Sequence, residues 1–371
     1  MRNALISALV AVETVVDRSL SALRRRYDLW DDIHILPYHG YGRADRVRLF
    51  GRVLDDKAVE HEGALTRLES ARLTARRFIS DEVPHARLAI QVDGRTVRVE
   101  TDEDGYYDVE IDTGTSLPEG WSDVEVTLEE PGLPVTETAR ILVPPAASRF
   151  AVISDMDDTV IRTGATNKLR FARVVLFNNA TTRAVFPGVG AFYRALVEEG
   201  GTVVNPVFYV SSSPWNLYRQ FMGTLQHRDI PEGPLFLKDF GVDPGKLLKS
   251  GHHDHKLDQI GTLLAFYPDL DVVLIGDSGQ EDPEIYQQAV ARHPGRVRAV
   301  FVRDVTDDAR DREVRQIARD VEARGVPMRL VADTAEAAQA AADLGLITDA
   351  DVKRVRRAAA EEAEASRAGP S

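Results

Sequence analysis

The sequence predicts a two-part α/β protein: a small β-sandwich, then a parallel sheet covered by helices on both faces, with further helices at each terminus. Three observations predict it. From residue 150 onward, apolar strand-like runs at 150–154, 203–210, 234–237, 271–275 and 297–302 alternate with helical patterns, as in a parallel sheet built from β-α units. Upstream, short alternating runs are divided by Asp-Gly and Pro-Gly turn signals at the spacing of a sandwich. Between the two, Pro144-Pro145-Ala146-Ala147-Ser148 reads as a linker. A chain of 371 residues is long enough for two cores, and 43% hydrophobic with 28% charged residues is an ordinary globular composition.

Taken in order, residues 1–30 predict an amphipathic helix. Leu5, Leu9, Val12, Val16, Leu20 and Leu23 trace one stripe that ends at Arg24-Arg25-Arg26. Docking on the body of the protein is the plain reading, and a membrane-surface or dimerisation helix the sharper one. Residues 4–12 have the look of a short signal-peptide core, but Glu13 and Asp17 interrupt it. No apolar run approaches the ~18 residues that span a bilayer. The sandwich is expected over 31–147, with strands at 46–54, 88–92, 96–100, 106–111, 124–128 and 138–143 and a helix at 62–80. Asp102-Glu103-Asp104-Gly105 faintly suggests a calcium loop, but the later ligands are missing, so a hairpin turn is expected. The α/β domain is placed at 148–333, and the Ala-, Glu- and Arg-rich stretch 334–371 reads as a helical tail.

Composition excludes several functions. Without cysteine, disulfides, thiolate catalysis and cysteine-bound zinc or iron–sulfur sites are ruled out. The same absence suits a reducing compartment, and a cytoplasmic location, with peripheral contact at a membrane as a variant, is the expectation. A net charge of −13 argues against nucleic-acid binding, which needs a basic footprint.

The chemistry concentrates at strand ends. The run 150–154 stops at Asp155-Met156-Asp157-Asp158-Thr159, three carboxylates within four positions. Like charges crowded at a strand tip repel one another and raise their pKa values, so something must compensate them. A hard divalent cation with oxygen ligands, Mg2+ above all, does so, and an aspartate so placed can attack phosphorus. Three further pieces follow in order: Phe208-Tyr209-Val210-Ser211 with Ser212, Ser213 and Pro214; Lys256 at the start of a helical pattern; and a third strand ending in Gly276-Asp277 with Asp282 five residues on.

Asp155, Asp157 and Thr159 form a D-x-D-x-T signature, and together with the later pieces it resembles the haloacid-dehalogenase (HAD) superfamily of phosphatases. The longer strings 154–160, 209–218 and 276–286 are similar to the phosphatidate phosphatase family known from cortical actin patches. The likeness runs over roughly 149–305, with Pro37-Tyr38-His39-Gly40-Tyr41-Gly42 as a looser match. The resemblance implies a HAD-like, Rossmann-type sheet with a minimal cap and a Mg2+ cofactor. It implies that Asp155 forms an aspartyl-phosphate and that Asp157 acts first as acid, then as base. It places Mg2+ on the Asp155 carboxylate, the Asp157 backbone carbonyl and Asp277, with Asp282 in an outer position or capping the helix that Pro283 begins. Ser211 and Lys256 would meet phosphoryl oxygens. Ser212, Ser213 and Thr159 join them as phosphate-side candidates, although fixing the loop is the plainer role for Thr159.

The substrate implied is a phospholipid, phosphatidate first, or another bulky phosphomonoester such as a phosphoprotein or nucleotide. A binding protein working through its β domain is the rival reading. The short spans from Thr159 to Ser211 and from Ser211 to Lys256 leave no room for a full cap, so an open site is expected. Residues 168–177, basic and apolar together, are read either as a lip for an acyl chain or as an ordinary buried helix. Asp158 is balanced between a turn role and a site role. Trp215 and Tyr218 are read as packing, and the histidine-rich stretch 251–255 as a solvated loop rather than a metal site. Nothing in the sequence fixes an oligomeric state.

Overall fold

The computed structural model describes residues 33–55, 81–115, 117–162, 185–199, 202–238, 252–306 and 308–368. The expected helices at 1–30 and 62–80 and the stretch 168–177 lie outside them. The chain divides into two compact units at Val143/Pro144.

The first unit is built from β1 (Ile33–Pro37), β2 (Gly40–Arg43), β3 (Arg46–Asp55), β4 (Asp81–Glu82), β5 (Arg87–Val92), β6 (Arg95–Glu100), β7 (Tyr106–Asp112), β8 (Gly120–Glu130) and β9 (Val135–Val143). Strand alternation puts every second residue on one face, which is why Val124, Val126 and Leu128 of β8 are buried together. They share one core with Val47, Leu49, Leu88, Ile90, Ile111 and Ile141 from the neighbouring strands. The unit is β-rich as expected, and hydrogen bonds link all nine strands in one network, β1-β3-β2-β9-β8-β5-β6, with β4 and β7 on β3. Alternation identifies the inner face but carries no information on which strand pairs with which, so the β-rich character was predictable and the continuous pairing was not. The Asp102 stretch is a tight turn and not the hairpin expected, because β6 pairs with β5 and β7 with β3: Asp102 Oδ1 accepts from the N–H groups of Asp104 and Tyr106 at 3.0 and 2.8 Å, with Gly105 at φ 75°.

The second unit begins with β10 (Ala151–Ser154), α1 (Val189–Val197), the short pair β11 (Glu198–Glu199) and β12 (Thr202–Val203), β13 (Val207–Pro214), α2 (Tyr218–His227) and β14 (Leu235–Lys238). It continues through α3 (His252–Phe266), β15 (Val272–Asp277), α4 (Asp282–Arg292), β16 (Val297–Arg303), α5 (Asp308–Glu322), β17 (Met328–Val331), α6 (Thr334–Asp343) and α7 (Asp349–Ala368). Six strands form a sheet in the order β14-β13-β10-β15-β16-β17, every pair parallel. All four residues of β10 and all six of β15 are buried, as strands covered on both faces must be. Each fully buried Val, Ile or Leu there contributes about 1.5–3 kcal/mol. The segment read as a helical tail forms α6 and α7, which bury Ala337, Ala338, Ala341, Val352 and Val355. Glu362 of α7 accepts from the Gly188 N–H ahead of α1 at 3.0 Å. No helix among the described residues is long and apolar enough to cross a membrane.

Candidate active site

Strand order reverses at β10, which has β13 on one side and β15 on the other. Ligands of open α/β sheets bind at such a point, beyond the carboxyl ends of the strands. Register brings those ends level: Ser154 lies opposite both Tyr209 and Ile275. The residues that follow, Asp155, Ser211 and Asp277, therefore emerge together. The Asp155 N–H donates to the Ile275 carbonyl at 2.9 Å, which extends the pairing by one residue and fixes the base of its side chain.

Asp155, Asp277, Asp282 and Lys256 are all at most 3% exposed. Lys256 Nζ, carried by α3, lies 2.8 Å from Asp155 Oδ1 and 2.5 Å from Asp282 Oδ1. Asp155 Oδ2 has no hydrogen-bond partner among the described residues. Asp155, Asp277 and Asp282 each offer one oxygen within 4.8 Å of the others. Burial holds the Asp155 carboxyl well above the ordinary range, opposed by Lys256 and reinforced by Asp282, Asp277 and Asp157. Burial, then the neighbouring Asp282, pushes Asp277 up to about 8. Burial alone would lower Lys256, but the attraction of Asp155, Asp282 and Asp277 outweighs it and keeps the ammonium charged. One ammonium cannot compensate this many carboxylates, so the cluster favours taking up a proton or a cation.

Asp157 is held differently. Its Oδ2 accepts from the Ser211 and Ser213 hydroxyls, both at 2.8 Å, and the Ser213 N–H donates to Ser211 Oγ at 3.0 Å. Ser211 and Ser213 share a face of β13. Ser212, one residue out of phase, is only half-buried and does not share that contact. Asp158 adopts φ 55° and donates its N–H to the Ile161 carbonyl at 2.7 Å, which answers to the turn role. Isolated bridges link Asp157 to Ile161 and Ile161 to Val185. Thr159 is buried with its hydroxyl unpartnered among the described residues, and its carbonyl accepts from Arg303 Nε at 3.3 Å. Trp215 and Tyr218 pack as a ring pair 6.1 Å apart.

One expectation is corrected. Asp282 does not cap α4: Glu281 occupies the cap position, without a side-chain cap bond. The Asp282 carboxylate turns inward instead, to Lys256 and to the Asp277 N–H at 3.2 Å. Gly276 makes this possible. A Cβ there would clash with the Asp282 carboxylate and lie 2.8 Å from the Tyr286 ring.

The sequence reading missed Gln280. Its Nε2 donates to Asp277 Oδ2 at 3.1 Å and to the Asp157 carbonyl at 3.3 Å, while the N–H groups of Gly279 and Gln280 donate to Asp277 Oδ1 at 2.7 and 3.0 Å. The one available signal was its place inside the 276–286 string. Arg303 was missed as well. Its buried guanidinium also donates to Thr334 Oγ1 at 3.1 Å and lies 4.1 Å from the Phe186 ring centre.

With this geometry in place, the chain can be set beside known proteins. Residues 150–304 match the family described as phosphatidate phosphatase APP1, catalytic domain. Phosphatidate phosphatase APP1 of Saccharomyces cerevisiae is 26% identical over 279 residues, which cover 69% of this chain and 45% of that protein. An uncharacterized protein of Schizosaccharomyces pombe is 28% identical over 161 residues, 43% of this chain and 26% of that protein. The chain thus spans less than half the length of these curated relatives. Among solved structures, a carbohydrate acetylesterase from Xanthomonas citri aligns over 76% of this chain and 72% of its own at 13% identity, with a TM-score of 0.26; this likeness carries no argument about fold or function.

Proposed function

For a chain whose catalytic segment is APP1-like, we propose Mg2+-dependent hydrolysis of phosphomonoesters, phosphatidate foremost, through an aspartyl-phosphate on Asp155 in a HAD-like domain. The observation that supports this most is Asp155 itself. It stands at the strand-order reversal, buried, with one oxygen on Lys256 and the other unpartnered among the described residues.

The residues fit the cation. Asp155, Asp277 and Asp282 supply hard oxygen donors within 4.8 Å of one another, with the Asp157 carbonyl reached by the same Gln280 amide that holds Asp277. This is a donor set suited to Mg2+. When bound, Mg2+ supplies charge neutralisation at the transferring phosphoryl group. The rest of the work falls to side chains. Asp155 attacks phosphorus in line as the bond to the leaving oxygen breaks. Asp157 delivers a proton to that oxygen, then takes one from the water that opens the aspartyl-phosphate. Ser211 and Ser213 fix the orientation of the Asp157 carboxyl through their shared grip on Oδ2. Lys256 keeps the nucleophile in place and offsets charge on the phosphoryl oxygens.

The lipid assignment draws further support from sequence. From Thr159 to Val197 the chain carries Arg162, Lys168, Arg170, Arg173, Arg183 and Arg194 and not one Asp or Glu, in a protein of net charge −13. Local basic character of this kind attracts anionic lipid surfaces. The test is phosphate release from phosphatidate vesicles by wild type and Asp155→Asn, with and without EDTA. Wild type should release phosphate only with Mg2+, and the variant should lose at least about 10⁴-fold while keeping its circular dichroism. Equal release by both proteins would sink the proposal, whereas a wild type that prefers phosphopeptides or nucleotides would move the substrate and leave the mechanism standing.

A further inference from the structure

The loop after β15 is held from outside the cluster. Arg310, in the first turn of α5, donates from Nε to the Ser278 carbonyl and from Nη2 to the Gln280 carbonyl, both at 3.0 Å. The same guanidinium grips Glu284 of α4 in two-pronged fashion at 2.7 and 2.8 Å and reaches Glu313 at 3.1 Å. One side chain thus ties two loop carbonyls to two helices. Only a planar, forked guanidinium can do so; a lysine ammonium is a point charge. The loop so tied presents two N–H groups to Asp277 Oδ1, and its Gln280 amide spans Asp277 Oδ2 and the Asp157 carbonyl. Those two oxygens are among the ones the proposed function gives to the cation.

We propose that Arg310 is a positioning residue for the divalent-cation site, acting through the Ser278–Gln280 loop to aim Gln280 and the Asp277 carboxylate. This rests on the cation reading above and extends it to Arg310, which no motif includes. An ordinary exposed ion pair would hold helices together and leave cation affinity alone. Arg310 is instead bonded to the main chain of the segment that orients a ligand, and outer groups of that kind typically govern affinity by about 10–100-fold.

The experiment is calorimetric titration of the full chain with Mn2+, for wild type, Arg310→Ala, Arg310→Lys and Gln280→Ala, with thermal unfolding in EDTA alongside. Arg310→Ala should weaken Mn2+ binding by about 10-fold or more with little change in the EDTA melting temperature. Arg310→Lys restores charge without the fork and should stay close to the alanine variant. Gln280→Ala, which deletes the amide and leaves Arg310 in place, should weaken binding by a smaller factor and gives the answer if Arg310→Ala does not fold. Wild-type affinity in Arg310→Ala, or in Gln280→Ala where that variant stands in, overturns this inference alone. A wild type that takes up no Mn2+ brings down the cation reading with it.

Discussion

In the β-rich unit, Arg46 pairs with Asp112 at 2.9 Å and Arg48 with Asp108 at 2.7 Å across β3 and β7, with side chains between 28% and 79% exposed. In the second unit, Lys256 pairs with Asp155 at 2.8 Å with side chains 4% and 1% exposed. The distances are alike and the physics is not. Exposed pairs stay solvated, and each adds about 0–1 kcal/mol. A buried pair gives up hydration on both ions, and that cost commonly exceeds the mutual attraction. The first unit keeps charge out of its cluster of Val, Leu and Ile, and where it does bury a cation, at Arg52, the partner Glu82 stays half-exposed. The second gathers charge where its strands end, at a cost to stability that apolar residues of the same volume would avoid. Perturbed, desolvated groups of this kind mark sites where chemistry is done.

The largest expected effect breaks the buried arrangement. Lys256→Met keeps the volume and removes the ammonium shared by Asp155 and Asp282. Urea denaturation in EDTA should show a loss of about 3–5 kcal/mol, the cost of an uncompensated buried charge, and a loss under 1 kcal/mol would erase the contrast between the units. A second effect, smaller for each unit of pH, comes from titration. Between about pH 4 and about 8 the folded chain keeps a proton on Asp277 that the unfolded chain has released. The native state then binds more protons than the unfolded state, so stability falls as pH rises through this window, by at most about 1.4 kcal/mol per unit. Urea midpoints in EDTA at the two ends of the window test this, and saturating Mg2+ should flatten the slope. The smallest effect belongs to the outer face: Arg48→Ala should change stability by no more than about 1 kcal/mol and leave phosphate release unaltered.

Some of this was legible in the sequence because geometry turns into spacing. Asp155, Ser211 and Asp277 each close an apolar run, and a parallel sheet with level strand ends brings such positions together whatever lies between them. Lys256 and Asp282 were legible through the family resemblance, from the lysine at a helix start and the Gly276-Asp277-x4-Asp282 spacing. Other features leave no such trace. β17 is four residues long with its two middle positions only half-buried, too short to show a period. Arg310 lies in a helix with Arg312, Arg315 and Arg319, and nothing in the string separates it from them. Gln280 acquires meaning only when the loop folds back on Asp277. The inward turn of Asp282 was hidden because an acid ahead of a helix ordinarily serves the helix.

Gly276 shows how far an absent atom reaches. The volume a methyl group would fill is taken by the Asp282 carboxylate, so the strand's narrowest residue lets an acid lean in beneath its neighbour and hold the ammonium from below. Alanine at this position would push that acid aside and leave the lysine tethered from one side only. The proton balance of the cluster is thereby written into the backbone, at a residue that can neither gain nor lose a proton.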